Sequence, residues 1–273
     1  MKKKLFNGFT YFALILGSVV TLLPFIWMIT TSFKTTAELY TMPPGLIPGK
    51  IDLDNYVYVF NKIPIFTYFF NSALVAICVT AATLVTSVLA AYAFSSLKFP
   101  GRDVLFSIII ATMMVPSELL IIPNFVTLAK LGWIDTYYAL IIPWTTSVFS
   151  IFFLRQFFLG IPRELRYAAK ADGCSNLKYI LRVIVPISKP ALFTVAILKI
   201  VYSWNEFLWP LLVTNSKLLR TLPVGISSFM TDSSANHNHI SAYATITILP
   251  IFILYLIFNK YIIAGSVRSG IKG

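Results

Sequence analysis

The chain of 273 residues is 58% hydrophobic and 12% charged, and its net charge is +12. A soluble domain carries about 25% charged residues, so this composition excludes an ordinary soluble fold and indicates an integral membrane protein. The 22 basic residues are scattered between apolar stretches and form no single patch, which argues against a nucleic-acid partner. Cys78 lies in an apolar stretch and Cys174 in a basic one, so no disulfide framework is expected.

Six apolar stretches are long enough to cross a bilayer as helices, which takes about 20 residues. The first follows Met1-Lys-Lys-Lys, and its uncharged part, residues 5–33, is too long for the core of a cleavable signal, so we expect a retained span. The stretches do not alternate as barrel strands would, so an all-α polytopic membrane protein with six transmembrane helices is predicted. The predicted spans are 9–33, 64–95, 104–129, 136–156, 188–213 and 241–262.

The distribution of Lys and Arg predicts the orientation of the chain. If the N-terminus is cytoplasmic, 15 of the 22 basic residues fall in cytoplasmic segments, six fall in outer loops and Lys199 lies within the fifth span. Cytoplasmic loops carry an excess of Lys and Arg, so six spans with both termini in the cytoplasm are expected.

Two longer outer loops are predicted, at 34–63 and 214–240. The first contains the turn signals Pro43-Pro44-Gly45 and Pro48-Gly49. The second is polar and ends in a stretch that contains His237 and His239. The sequence has no visible internal repeat and no low-complexity linker, so residues 1–273 are expected to form a single membrane domain.

A basic, amphipathic segment, residues 157–187, separates the fourth and fifth spans. Its first part is predicted to be a short helix that opens with Pro162 and closes at Gly173 in a left-handed cap. A second helix is predicted from an N-cap at Ser175 to Pro186. One face of this second helix carries four apolar residues at helical spacing, namely Leu177, Ile180, Leu181 and Ile184.

Two roles for this segment remain open from its chemistry alone. Ala168 and Ala169 are small enough to let another surface approach the backbone, which favours insertion of the first helix into a groove on a partner. Alternatively, the segment is an interfacial helix whose Lys and Arg side chains lie on anionic lipid.

The order of residues in this segment resembles a known signature. Ala168-Ala169-x-x-Asp172-Gly173, followed by a hydrophobic helix to Ile184-Val-Pro186, is similar to the loop of permease subunits of ATP-binding-cassette importers. That signature has Glu-Ala-Ala, then Gly four residues after the last Ala, then Ile-x-Leu-Pro. In this chain Val185 stands in place of Leu and Tyr167 in place of Glu, the residue that helps to anchor the loop on the ATPase.

Further segments resemble the smaller permease subunit of the maltose-type carbohydrate importers. These segments are Leu23-Pro-Phe-Ile-Trp-Met-Ile-Thr-Thr-Ser-Phe-Lys34, Ala90-Ala-Tyr-Ala-Phe-Ser-Ser-Leu-Lys-Phe-Pro-Gly-Arg102, Ser203-Trp-Asn-Glu-Phe-Leu-Trp-Pro-Leu-Leu212, Arg220-Thr-Leu-Pro-Val-Gly225 and Gly270-Ile-Lys-Gly273. Several motifs in order at matching topology make the resemblance specific over nearly the whole chain.

The resemblance implies the type I importer permease fold in the cytoplasmic (inner) membrane of a bacterium. It also implies a second, different permease subunit, two cytoplasmic ATPase subunits that bind ATP and Mg, and an extracytoplasmic sugar-binding protein, with membrane lipid around the spans and no nucleic acid. The ATPase-coupling residues would be Arg163, Glu164, Arg166, Tyr167, Ala168, Ala169, Asp172 and Gly173. In the outer loop, the residues that contact the binding protein would be Ser228, Phe229, Met230, Thr231 and Asp232.

Ionisable residues within or near spans are costly and are functional candidates by default. Glu118, Lys199 and Glu206 are the three such residues here. Carbohydrates need hydrogen-bonding groups and flat apolar faces, so a translocation path is predicted at Glu118, Trp204, Asn205, Glu206 and Trp209. The structural alternative is that these residues face a water-filled cavity or contact a partner subunit.

Three classes of function remain to be compared. A transport subunit driven by a separate ATPase agrees with the basic inner segment, whereas a self-contained ion-coupled carrier would be expected to show a repeat and acids along its spans. A membrane scaffold would explain the segment but not the charges in the spans. The chain itself is not expected to be an enzyme or to bind a cofactor, because Gly45-Leu-Ile-Pro-Gly-Lys50 has the wrong spacing for a phosphate loop. A metal site at His237 and His239 is not expected, since only Asp232 lies nearby.

Overall fold

The structure is a computed structural model that describes residues 2–43, 45–230 and 236–267, with side chains described for 9–43, 45–230 and 236–258. All regular secondary structure in these ranges is helical, which confirms the predicted all-α class. The α-helices are α1 Lys2–Thr31, α2 Thr36–Leu39, α3 Asp54–Lys62, α4 Ile65–Ser96, α5 Arg102–Ala111, α6 Ile121–Lys130, α7 Tyr137–Ile141, α8 Val148–Leu159, α9 Arg163–Ala171, α10 Asn176–Tyr179, α11 Val185–Ile187, α12 Lys189–Asn205, α13 Leu208–Val213, α14 Ser227–Met230 and α15 His237–Val267. Among the residues named in the sequence analysis, Thr231, Asp232 and the segment Gly270-Ile-Lys-Gly273 lie outside the described ranges.

Three helices are long and apolar enough to cross a membrane unaided. They contain the segments Phe9–Thr31, Ile65–Ser96 and His237–Phe258, whose mean hydropathies are 2.3, 2.3 and 2.1. A helix satisfies its own backbone hydrogen bonds, so uninterrupted apolar sequence of this length favours a spanning helix. These helices correspond to the first, second and sixth predicted spans.

The predicted third and fourth spans correspond to helix pairs that are bent at a short break, and a third bent pair overlaps the predicted fifth span, 188–213, through its second helix only. The pairs are Arg102–Met114 with Ser117–Lys130, bent by 91°, Tyr137–Trp144 with Val148–Leu159, bent by 40°, and Asn176–Ile187 with Lys189–Asn205, bent by 82°. Counted as one span each, they bring the number of spans to six. The six-span architecture therefore agrees with the structure, but half of the spans are broken.

A proline lies at the sharpest of the three bends. Pro116 lies at the 91° bend, as expected for a residue that cannot continue a helix. Pro123 and Pro210 do not lie at a bend, since each is the third residue of a helix, α6 and α13. A helix has no internal partner for its first amides, so a proline fits there, and the break lies before it. The predicted fifth span, 188–213, therefore extends beyond the pair bent at Ser188 and has a further break at Glu206 and Phe207, between α12 and α13.

Contacts divide the chain into two compact units. One comprises Met1–Ile65 and Val224–Phe252, and the other comprises Phe66–Pro223 and Ile253–Gly273. The organisation of residues 1–273 as a single domain stays a prediction.

In the first unit, the predicted Pro- and Gly-rich outer loop is an ordered structure held by a buried asparagine. The Asn55 side chain donates hydrogen bonds to the carbonyl oxygens of Ser32 and Lys34, at 3.0 and 2.9 Å. Its own oxygen accepts a 2.7 Å hydrogen bond from Asn238. These bonds satisfy carbonyls at the end of α1 that the helix itself leaves unpaired.

In the second unit, Asn71 on α4 performs a similar function. It is buried, and its Nδ2 donates to the carbonyl oxygens of Leu218 and Arg220 at 2.8 and 2.9 Å. The hydroxyl of Tyr137 donates to Asn71 Oδ1 at 2.6 Å. One side chain thus joins α4, α7 and the segment after α13.

We expect Asn71→Ala to destabilise the second unit, because it leaves two carbonyls and one hydroxyl without their partner. At roughly 1 kcal/mol per hydrogen bond the loss should be about 2–4 kcal/mol. The measurement is the thermal unfolding midpoint in detergent, which should fall by roughly 5–10 °C. Asn61→Ala, at an exposed position, is the matched control. An unchanged midpoint for Asn71→Ala would contradict the bridging role.

Candidate functional site

The predicted coupling helix is α9, and its C-terminal end has a well-defined cap. Gly173 has a φ of +70°, as predicted for a left-handed cap. Its amide donates to the carbonyl of Lys170, and the amide of Cys174 donates to the carbonyl of Ala169, which together form the Schellman pattern. At the other end, Pro162 is the N-cap and not a helical residue, so the helix opens one residue later than predicted.

The second predicted helix is also present, with an irregular middle. Ser175 is its N-cap and accepts a hydrogen bond from the amide of Lys178, as predicted. The helix then passes through a π-helical turn, Ile180–Ile184, before it ends at Ile187. Ile180 and Ile184 are buried, whereas Leu177 and Leu181 are exposed. The four apolar residues therefore do not form one buried face.

Helix α9 lies at the surface of its unit. None of its residues is buried, and the Tyr167 side chain is 65% exposed. Ala168 is exposed as well, while Ala169 and Cys174 pack against the core cluster that contains Tyr92 and Tyr179. The helix is therefore supported from one side and presents Tyr167 and Ala168 on the other, which is the geometry that docking on a partner requires.

Arg166 connects α9 to α4. Its guanidinium lies 5.9 Å from the centre of the Tyr92 ring, and the Tyr92 hydroxyl donates to Asn176 Oδ1 at 2.9 Å. The start of α9 thus rests on an aromatic surface of α4. Glu164 and Asp172, the two acids among the predicted coupling residues, are both exposed.

The predicted path residues of the fifth span lie around the break between α12 and α13. Glu206 Oε1 accepts a hydrogen bond from the amide of Trp209 at 3.2 Å, so its carboxylate caps α13. Trp209 is buried, and its ring nitrogen donates to the carbonyl of Ala139 at 2.9 Å. Trp204 is also buried and packs edge-on against Phe69, 5.5 Å away. Both tryptophans therefore contribute to the core of this unit.

A small internal cavity brings several of these side chains together. Lys199, Tyr202, Glu206 and Trp209 line it, together with Trp144. Asn205 and Glu118 are not among its lining residues and are exposed. Tyr202 and Trp144 were not predicted, since an aromatic residue in an apolar span has no signal that separates it from core packing.

The outer loop 214–240 is structured where it is described. Asp135 Oδ1 accepts hydrogen bonds from the amides of Asn215 and Ser216, both at 2.9 Å. Phe229, a predicted contact residue, is 1% exposed and packs against Tyr58 and Tyr243.

The remaining predicted contact residues of this loop differ in exposure. Met230 is 73% exposed and Ser228 is partly buried. Thr231 and Asp232 lie outside the described residues. In the same unit, the His239 ring stacks on Tyr58 at 4.0 Å and its Nδ1 accepts a hydrogen bond from the Asn236 amide. In the part of the chain that the structure describes, no three His, Cys, Asp or Glu side chains lie close enough to hold a metal ion.

The sequence of this chain matches a known protein family and several known permeases. Residues 82–265 match the family described as "Binding-protein-dependent transport system inner membrane component". The arabinooligosaccharides transport system permease protein AraQ of Halalkalibacterium halodurans is 35% identical over 269 residues, which is 97% of this chain and 95% of that protein. The trehalose/maltose transport system permease protein MalG of Thermococcus litoralis is 36% identical over 265 residues, 95% of this chain and 94% of that protein.

A solved structure has the same fold. It is the crystal structure of a bacterial ABC transporter involved in the import of the acidic polysaccharide alginate, and one of its chains superposes with a TM-score of 0.86 at 24% identity. The match covers 96% of this chain and 98% of that one. The family match extends over more than half of the sequence, and the relatives are similar along nearly all of it. The chain therefore belongs to the family of binding-protein-dependent transport system inner membrane components.

Proposed function

We propose that this multi-pass membrane protein is one of two different permease subunits of an ATP-driven importer for a carbohydrate, in the cytoplasmic membrane of a bacterium. The observation that carries the substrate class is that the similar permeases AraQ and MalG belong to transport systems for arabinooligosaccharides and for trehalose or maltose, and both match over nearly the whole chain. The single membrane domain, with both termini cytoplasmic, would form half of the translocation path. Because the chain belongs to this family, no observation supports the alternative function of a self-contained ion-coupled carrier.

Two ATPase subunits would bind ATP and Mg on the cytoplasmic side, and α9 would transmit their movement. The support is geometric: α9 is exposed, capped by Gly173 and seated on the core through Ala169 and Cys174. A rigid short helix carries displacement to the spans better than a flexible loop does. Tyr167 would replace the usual Glu contact with ring packing or a phenol hydrogen bond.

An extracytoplasmic sugar-binding protein would deliver the substrate and contact the outer loop near Met230. A loop that fits only the open form of a binding protein shifts that protein towards release of its ligand. Within the membrane, the exposed Asn205 and Glu118 are the predicted residues best placed to offer hydrogen bonds to a carbohydrate, because Glu206 already caps α13.

Gly173→Val should uncouple ATP hydrolysis from transport. An added Cβ at Gly173 meets no atom within 4 Å, so the cost comes from the φ of +70°, about 1–2 kcal/mol for a residue other than glycine. Sugar uptake in proteoliposomes should fall by about tenfold while the complex still assembles. Gly173→Asn, which tolerates this conformation, should recover most of the activity. Normal uptake by the Val variant would exclude the proposed role of the cap.

Tyr167→Ala should weaken attachment of the ATPase subunits, whereas Tyr167→Phe should be mild. The side chain is 65% exposed, so its removal costs little within the chain and reports on the partner contact. The measurement is the amount of ATPase subunit that copurifies with the tagged permease. Tyr40→Ala, a 73% exposed tyrosine in the outer segment, is the control. If Tyr167→Ala retains the full amount of ATPase subunit, the position is merely exposed.

Met230→Ser should lower the ATPase activity that the loaded binding protein stimulates, because Met230 is the exposed apolar residue of the predicted contact. Basal activity and assembly should not change. Phe229→Ala is the comparison, since loss of this buried ring should reduce stability by about 3–5 kcal/mol. If the loaded binding protein stimulates the ATPase activity of Met230→Ser as it does that of the wild type, Met230 does not contribute to the contact with the binding protein.

A further inference from the structure

A second cavity lies at the predicted cytoplasmic end of the second unit. It has a volume of about 880 Å³ and is open to solvent. Its walls are the turn between α4 and α5, the end of α8 and the first turn of α9. This volume is in the range of small-molecule sites. The cavity is separate from the predicted translocation path, with which it shares no lining residue.

Four cations line this cavity, and the carboxylate among its lining residues is already engaged. Asp103 pairs with Arg102 at 3.0 Å and with Arg155, behind the cavity, at 3.8 Å. The other three lining cations are Lys98, Arg163 and Arg166. Within the described ranges, none of the three forms an ion pair. Three unpaired positive charges that converge on one cavity repel one another, and a bound anion would remove that repulsion.

Arg166 gives a second indication. Its Nε is buried and makes no hydrogen bond to any described residue. A buried donor without a partner costs about 1–3 kcal/mol, so such groups in a native structure need an explanation. Arg166 lines the cavity through other atoms, so a shift of its guanidinium towards a bound ligand would give this Nε an acceptor.

Two helix N-termini add to the positive potential. Helix α5 begins after Gly101 and α9 begins after Pro162, and both of these residues line the cavity. Neither helix has a side-chain cap. The first amide of α5, that of Arg102, donates to the carbonyl of Phe99, but the partial positive charge of both N-termini favours an anion.

We propose that this cavity binds a phosphate-bearing anion, either the headgroup of an anionic phospholipid or a soluble phosphate. Phosphate offers several acceptor oxygens, which match the guanidinium and ammonium groups of Arg163, Arg166 and Lys98. Basic pockets between helices on the cytoplasmic side are typical sites for anionic headgroups. The proposal does not depend on the transported substrate.

The test uses the complex purified with its copurifying subunits, in delipidated detergent micelles. Two probes are titrated separately: phosphatidylglycerol, followed by native mass spectrometry, and inorganic phosphate, followed by calorimetry. The variant is Lys98→Gln/Arg163→Gln. The matched control is Lys178→Gln/Arg182→Gln, which removes the same charge from exposed residues of the same predicted cytoplasmic side that do not line the cavity.

We expect the wild type and the control to bind at least one probe and the variant to bind it about tenfold or more weakly, as expected for the loss of charge-assisted contacts. Binding of phosphatidylglycerol alone identifies a lipid headgroup, and binding of inorganic phosphate identifies a soluble source. The single variant Lys98→Gln, at an exposed residue, keeps the test valid if the double variant does not fold. Absence of binding of both probes, or equal weakening in the control, would overturn the proposal.

Discussion

The constraint on which this structure depends is that a backbone polar group in hydrocarbon must find a partner within the protein. Continuous helices meet it directly, as α4 does over Ile65–Ser96. A broken span does not, because each break frees amides and carbonyls at the membrane level. The break between α12 and α13 is closed by Glu206, whose carboxylate accepts the hydrogen bond of the Trp209 amide. The Glu206 side chain therefore stabilises the fold at this break, independently of any role in transport.

Asparagine side chains meet the same constraint at other breaks. The Asn71 side chain donates hydrogen bonds to two carbonyls of the segment that follows α13, and the Asn55 side chain donates to two carbonyls at the end of α1. In each case the amide oxygen also accepts a hydrogen bond, so both donor N–H groups and one acceptor lone pair of the side chain are used. Polar residues of this kind look costly in an apolar sequence, yet they make irregular backbone possible near the membrane.

The sequence was sufficient for features that depend on local physics. Apolar length predicted the spans, and the Gly173 cap and the Ser175 N-cap were placed correctly because each depends on a few neighbouring residues. The bends were not predicted in the same way, since an apolar stretch has the same composition whether its helix is straight or broken. The π-helical turn at Ile180–Ile184 breaks the regular helical spacing on which the predicted apolar face depended, and no sequence pattern marks such a turn. Phe229 was expected at the surface, because an aromatic residue in a polar loop fits a partner contact as well as a core.

The support of α9 is unequal at its two ends, and this bears on how movement would reach the spans. At its C-terminal end, two local backbone hydrogen bonds make the cap rigid, and the packing of Ala169 and Cys174 attaches the helix to the core. At its N-terminal end, Arg166 faces Tyr92 on one side and the basic cavity on the other. An anion held between Arg163 and Lys98 would join this end to the α4–α5 turn and make the support symmetrical. A load on Tyr167, midway along α9, would then pass to α4 through both ends, whereas an empty cavity directs it mainly through the Gly173 cap.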